Sequence, residues 1–197
     1  MSDAPAPRAW IALTLLLVLM AIGGWWLPRT ALDWQPALIA REPWRALSAA
    51  AVHYSPLHLG ANLAGAALVG ALGAVARVPL AIVLAWLAAW PLGHLGLLMR
   101  PELLHYGGLS GVLHGGVAAA ALWLVARERG RRQLIGAAIL AVLLLKILGE
   151  APWGPAIQTR DGWDIAVAPF AHASGALCGL LCARLALLLP NASRHDD

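Results

Sequence analysis

Residues 107–126 read GGLSGVLHGGVAAAALWLVA. From Leu109 onward no charged side chain interrupts the stretch. Its length approaches the roughly 20 mostly apolar residues that a helix needs to cross a bilayer. Reading it as a membrane span decides how the rest of the chain is read. Yet it opens on Ser110, set among glycines, and carries His114 one helical turn later. Polar groups are costly in hydrocarbon, so each needs a partner or a task.

Working outward, five more stretches have a similar character. With Leu109–Ala126 they are Trp10–Leu27, Leu57–Ala76, Pro79–Met99, Gln133–Gly149 and Ala166–Leu189. The chain is 60% hydrophobic and 12% charged, about half the charged fraction usual in a soluble domain. The expectation is an all-α polytopic membrane protein, a single domain over residues 1–197 with six spans. The first stretch has only Arg8 before it, no clear small-x-small site after it, and Trp25-Trp26 at its end. It reads as a retained helix with an interfacial aromatic anchor, not a signal peptide.

Basic residues orient such a chain. An even number of spans puts both termini on one side, with Arg8, Arg77, Arg127, Arg129, Arg131, Arg132, Arg184 and Arg194. The other side receives Arg29, Arg41, Arg45, Arg100 and Arg160. The richer side, dominated by RERGRR at 127–132, is expected to be cytoplasmic. This bias accounts for the net charge of +4, so no nucleic-acid partner is expected.

Two long connections, 28–56 and 150–165, then lie outside the cytoplasm. The first contains Arg41-Glu42-Pro43-Trp44-Arg45 and should fold partly onto the membrane face. The second, fourth and sixth spans are rich in small residues. Gly111 and Gly115 are four apart, as are Gly175 and Gly179, with Ala171 and Ala183 extending the row. This spacing permits close helix approach. Cys178 and Cys182, one turn apart on one helix, are poorly placed for a disulfide and read as small packing residues. No sequence repeat supports a transporter architecture.

The topology brings four polar residues to one shallow depth on the outer side: Ser110, His172, His58 and Asn62. Singly each has a plain reading, Ser110 as a helix N-cap and His172 as a satisfied interior histidine. Together they suit acyl transfer. A serine nucleophile needs a base within hydrogen-bond reach, and the tetrahedral intermediate needs donors for its oxyanion. Asn62, His58 and backbone N–H groups at the glycine-flanked helix start, Gly111 included, supply such donors. No aspartate lies in the second, fourth or sixth span at this depth, so the expectation is a Ser–His dyad without an orienting carboxylate.

At this point the chain resembles the rhomboid intramembrane serine proteases over nearly its whole length. GxSG appears as Gly108-Leu109-Ser110-Gly111, AHxxG as Ala171-His172-Ala173-Ser174-Gly175, and HxxxN as His58-Leu59-Gly60-Ala61-Asn62. Trp44-Arg45 and His53-Tyr54-Ser55 also match. The resemblance implies a six-helix rhomboid-like bundle, with Ser110 as nucleophile, His172 as base, and His58 and Asn62 at the oxyanion. Many rhomboids carry an aromatic where this chain has His114. G-x-S-G-x-x-H-G resembles the rhombosortases, small bacterial rhomboids. That resemblance implies exported transmembrane substrates bearing a C-terminal Gly-Gly motif, a helix and basic residues, some of them ending joined to a lipid-derived amine. It also implies a multi-pass protein of the bacterial inner membrane, in contact with membrane lipids.

Lys146 and Glu150, four apart near the outer end of the fifth span, have two readings. One is a snorkelling lysine with a local partner. The other is recognition of substrate or of an amine nucleophile. His114 is expected to support His172 or shape the pocket. His94 and His105 read as interfacial or loop residues, His195 as part of a charged tail, and His53 as structural. Neither HExxH nor CxxC is present, so no metal or cofactor is expected. The competing readings are a rhomboid protease of broader specificity, an inactive rhomboid-like protein that binds membrane helices, and a channel or transporter.

Overall fold

The structure is a computed structural model describing residues 6–159, 161–162 and 164–189. Arg160, Arg194 and His195, assigned above, lie outside the described residues. Within them the chain forms α1 (Pro7–Gly24), α2 (Arg29–Leu32), α3 (Arg45–Ser48), α4 (Pro56–Ala76), α5 (Leu80–Leu95), α6 (Ser110–Arg127), α7 (Arg131–Gly149) and α8 (Pro169–Leu188). Six are long and apolar enough to cross a membrane, α5 being carried on to Met99 by a 3-10 turn. Among the described residues there is no strand, only two isolated bridges, Trp34–Tyr106 and Gln158–Val167. The all-α, six-span expectation holds.

The ends of the spans differ from the apolar runs for local reasons. Pro7 and Pro169 sit at helix starts, where a missing N–H leaves nothing unsatisfied. α1 therefore begins before Trp10, and α8 begins after Ala166. Val167 is held extended instead, exchanging two 2.8 Å backbone bonds with Gln158. α1 ends at Gly24, leaving Trp25 and Trp26 just beyond it.

α6 lies at the centre, packed against α4, α5, α7 and α8. Its contact with α8 is made by the small residues read from the sequence. A Cβ on Gly111 would lie 2.8 Å from the Ala171 carbonyl oxygen, and one on Gly115 2.9 Å from that of Gly175. Side chains on Gly175 and Gly179 would strike the backbone of Gly111 and Gly115 in turn. Several polar groups inside the bundle find backbone partners, as an apolar solvent favours. Trp86 Nε1 donates to Val112 O (2.8 Å), Trp10 Nε1 to Val69 O (2.9 Å) and Ser174 Oγ to Gly93 O (2.8 Å).

The bundle has two distinct ends. At one, Arg132 donates to Ala76 O and Arg127 to Leu187 O, both at 2.9 Å. At the other, the 28–56 connection folds over the helix tips around buried Arg45. Its Nη1 donates to Thr30 O (3.0 Å) and Asp33 O (2.7 Å), and its Nε to Glu42 (2.6 Å). Asp33 also pairs with His105 at 2.7 Å. This braced loop then holds the strand-like segment before α6. Trp34 and Tyr106 exchange backbone bonds of 2.7 and 3.1 Å, and Gly108 N–H donates to Ala49 O at 3.0 Å. His105 is a loop residue as expected, but His94 is not interfacial. It is 3% exposed and its Nδ1 lies 2.6 Å from Ala46 O, beneath the same loop. Cys178 and Cys182 are free thiols.

Candidate active site

The chain enters α6 through Gly108, whose φ of 152° is rarely adopted by residues with a Cβ. That turn makes Ser110 the first helical residue, with Leu109 as the N-cap and no side chain capping the helix. The plain reading of Ser110 as a capping serine therefore fails. Its Oγ lies 2.9 Å from His172 Nε2 instead. His172 stands in the first turn of α8, so the glycine contact between α6 and α8 sets the spacing of this pair.

The other face of the His172 ring corrects the sequence reading. No carboxylate was expected behind it, because only aspartates of the second, fourth and sixth spans were weighed for that role, while Glu150, level with the site on the fifth span, was read as a local partner of Lys146 or a recognition group. Glu150, at the C-cap of α7, places Oε2 2.7 Å from His172 Nδ1. Its Oε1 accepts from Lys146 Nζ, also at 2.7 Å, and Lys146 Nζ lies 3.4 Å from the same Nδ1. Lys146 and Glu150 thus form the expected local pair, and the pair lies directly on His172. His114 stacks on His172, ring centroids 4.3 Å apart and planes 10° from parallel. The His114 Nδ1 is 2.6 Å from Ser110 O.

His58 and Asn62 face the same cavity from α4. The Tyr54 N–H donates to His58 Nδ1 at 3.4 Å. That bond leaves the ring proton on Nε2, where a Cβ on Gly108 would lie only 3.1 Å away. Asn62 Nδ2 donates to His58 O at 3.1 Å, and its second N–H is available to another acceptor. Ser55 joins the two sides of the site. Its Oγ accepts from His58 N–H (3.0 Å), capping α4, and donates to Asp164 (2.7 Å) in the 150–168 connection. Gly111, in the first turn of α6, has an N–H with no helical carbonyl a turn before it.

Sequence reasoning missed Tyr106. Its hydroxyl donates to Gly108 O at 3.3 Å and lines the same cavity as Ser110. Burial pushes this phenol up to about 12, so it stays a neutral donor. The only sequence signal was its place four residues before the serine.

Ser110 and its neighbours open onto a cavity of about 950 Å³. An apolar arm runs from the serine between α4 and α7, lined by Gly65, Leu68 and Val69 on one side and Ala138, Ile139 and Val142 on the other.

These features define a class: a multi-pass membrane protein with a serine–histidine pair at one end of its bundle, the histidine buried and the serine half-buried. A family model described as Rhomboid domain matches residues 40–188, and the chain belongs to the rhomboid family. That is a family of intramembrane proteases. Comparison with curated proteins gives no match.

Proposed function

We propose that this protein is an intramembrane serine endopeptidase of the rhombosortase type. The observation carrying this reading is the 2.9 Å contact between Ser110 Oγ and His172 Nε2 at the mouth of the cavity. His172 takes the serine proton as Oγ attacks the substrate carbonyl. The tetrahedral oxyanion is met by N–H donors from His58, Asn62 and the Gly111 backbone. Collapse expels the amine, which takes the proton from His172, and the acyl-enzyme is released by water or by an amine. The test is labelling of purified protein by a fluorophosphonate probe. Label is expected on the wild type and none on Ser110→Ala; an unlabelled wild type removes the serine-protease reading.

The apolar arm between α4 and α7 supports a substrate that arrives as a membrane helix. The G-x-S-G-x-x-H-G pattern supports substrates with a C-terminal Gly-Gly tail, because it puts an imidazole, His114, flat against the base. His114→Tyr restores the more usual aromatic. It is expected to fold and to take the probe, but to process a Gly-Gly-tailed substrate at least about tenfold more slowly, a loss of about 1.4 kcal/mol of transition-state stabilisation. Full processing by this variant returns His114 to packing and favours a rhomboid of broader specificity.

Asn62→Ala is expected to lower kcat by about 10²–10³, the usual cost of one oxyanion donor, while probe labelling at Ser110 persists. Wild-type turnover by both Asn62→Ala and His58→Ala removes α4 from the chemistry. The partition of basic residues between the two ends supports cytoplasmic termini in a bacterial cell membrane, with the cavity opening to the outer side. The family match begins after α1. Trp10 of α1 bonds into α4 and stacks near Trp86 of α5, which supports one domain over 1–197.

A further inference from the structure

The geometry points to Glu150 as a positioning residue for catalysis, completing a Ser110–His172–Glu150 triad in which Lys146 holds the glutamate. This rests on the serine-protease reading above and goes beyond the dyad expected from the sequence.

For His172 to accept the Ser110 proton at Nε2, that nitrogen must be bare in the resting enzyme. A neutral imidazole then carries its proton on Nδ1. Two groups compete for Nδ1 and demand opposite tautomers. The carboxylate of Glu150 only accepts, so it requires Nδ1–H. The ammonium of Lys146 only donates, so it requires a bare Nδ1 and would leave Nε2 protonated and useless as a base. Distance decides between them. Glu150 Oε2 is 2.7 Å from Nδ1 and Lys146 Nζ is 3.4 Å away. The first is a charge-assisted hydrogen bond and the second is at the edge of bonding distance. Lys146 spends its short 2.7 Å bond on the other oxygen of the same carboxylate.

Once the proton has moved, His172 is an imidazolium between groups of both signs. Lys146 repels it and Glu150 attracts it. His114 from α6 stacks on it, His58 lines the cavity from α4, and the side chains of Lys146 and Glu150 come from α7. With Glu150 in place, the cationic lysine is neutralised before the second positive charge appears. Without it, two positive charges would stand side by side.

The backbone keeps Glu150 in place. Its N–H donates to Lys146 O at 3.1 Å, continuing the helix by one residue. The next residue, Ala151, has a φ of 51°, a left-handed conformation that a residue with a Cβ adopts only where its surroundings impose it. The chain reverses there, and Arg100 clamps the far side by donating to Pro152 O (2.8 Å) and Gly154 O (2.7 Å). A strained turn directly behind the carboxylate aims it at the ring.

The test uses the purified full-length chain, a transmembrane peptide substrate and the fluorophosphonate probe. Glu150→Gln keeps the shape but presents an amide. In serine proteases the corresponding carboxylate-to-amide change lowers kcat by about 10⁴ through the wrong tautomer. Here a fall of about 10²–10⁴ in kcat is expected, with KM within about threefold of wild type and a matching fall in the rate of probe labelling. The double variant Lys146→Met/Glu150→Gln removes the ion pair as a unit. It is expected to unfold at a temperature close to wild type and to remain as slow as Glu150→Gln. If Glu150→Gln were slow only because it leaves the Lys146 ammonium unpaired beside His172, the double variant would recover activity, and that recovery overturns the proposal. So does labelling of Glu150→Gln at the wild-type rate, which would leave a working dyad and the proposed function intact. A wild type that takes no label removes both.

Discussion

Ser110→Ala and His172→Ala are each expected to lower kcat by about 10⁶, to the level left by binding and oxyanion stabilisation alone. The double variant should be little worse than either single one, because nucleophile and base act as a unit. The reasoning is geometric. His172 Nε2 lies 2.9 Å from Ser110 Oγ, and without either atom the proton has no route from nucleophile to leaving group. Neither change touches the packing of α6 on α8, which is made by glycine backbone, so the folded protein should persist. Cleavage of a transmembrane peptide, followed by mass spectrometry of the new terminus, reads the effect. Substantial turnover by Ser110→Ala would end the assignment.

A second large effect, on activity and stability together, is expected from a residue with no functional group. Gly175→Leu places a side chain where the Gly111 backbone already stands. The two helices must separate or tilt, and His172 moves with α8, one turn before the substitution. A displacement of about 1 Å at reacting groups can cost about 10²-fold in rate, and overpacking adds about 1–3 kcal/mol of destabilisation. Gly175→Leu should therefore lose both activity and thermal stability, whereas Gly60→Leu, at a site with nothing within 4 Å, should lose neither. Equal activity in the two variants would mean that the α6–α8 contact does not set the serine–histidine spacing.

The six spans were legible because lipid allows few alternatives to a long apolar helix. Their ends were not, because prolines, a 3-10 turn and the Gln158–Val167 bridge decide them locally. Ser110, His172, His58 and Asn62 were legible together, since helix topology alone brings them to one level. The part played by Glu150 was not. It lies just beyond the apolar run of α7, and which way it faces depends on the rotation of that helix and on the turn at Ala151. α7 is also the least enclosed span, so its pattern gave little guide to rotation. His94 was misread for a similar reason. The segment that buries it, at Ala46, is far away in sequence and has no apolar periodicity of its own. Tyr106 was passed over because its place is fixed by the bridge to Trp34, a contact distant in sequence.

The dependence of the site on α8 has a consequence for the order of events during biosynthesis. The chain emerges from its N-terminus, and domains form as their parts become available. Ser110 enters early in the second half, followed by Glu150. His172 and the glycine backbone that holds it at bonding distance arrive only with residues 169–188. Until that last helix is inserted and packed against α6, Ser110 has no imidazole beside its hydroxyl. Activity, on the proposed reading, should appear in a single step, timed by the insertion of α8.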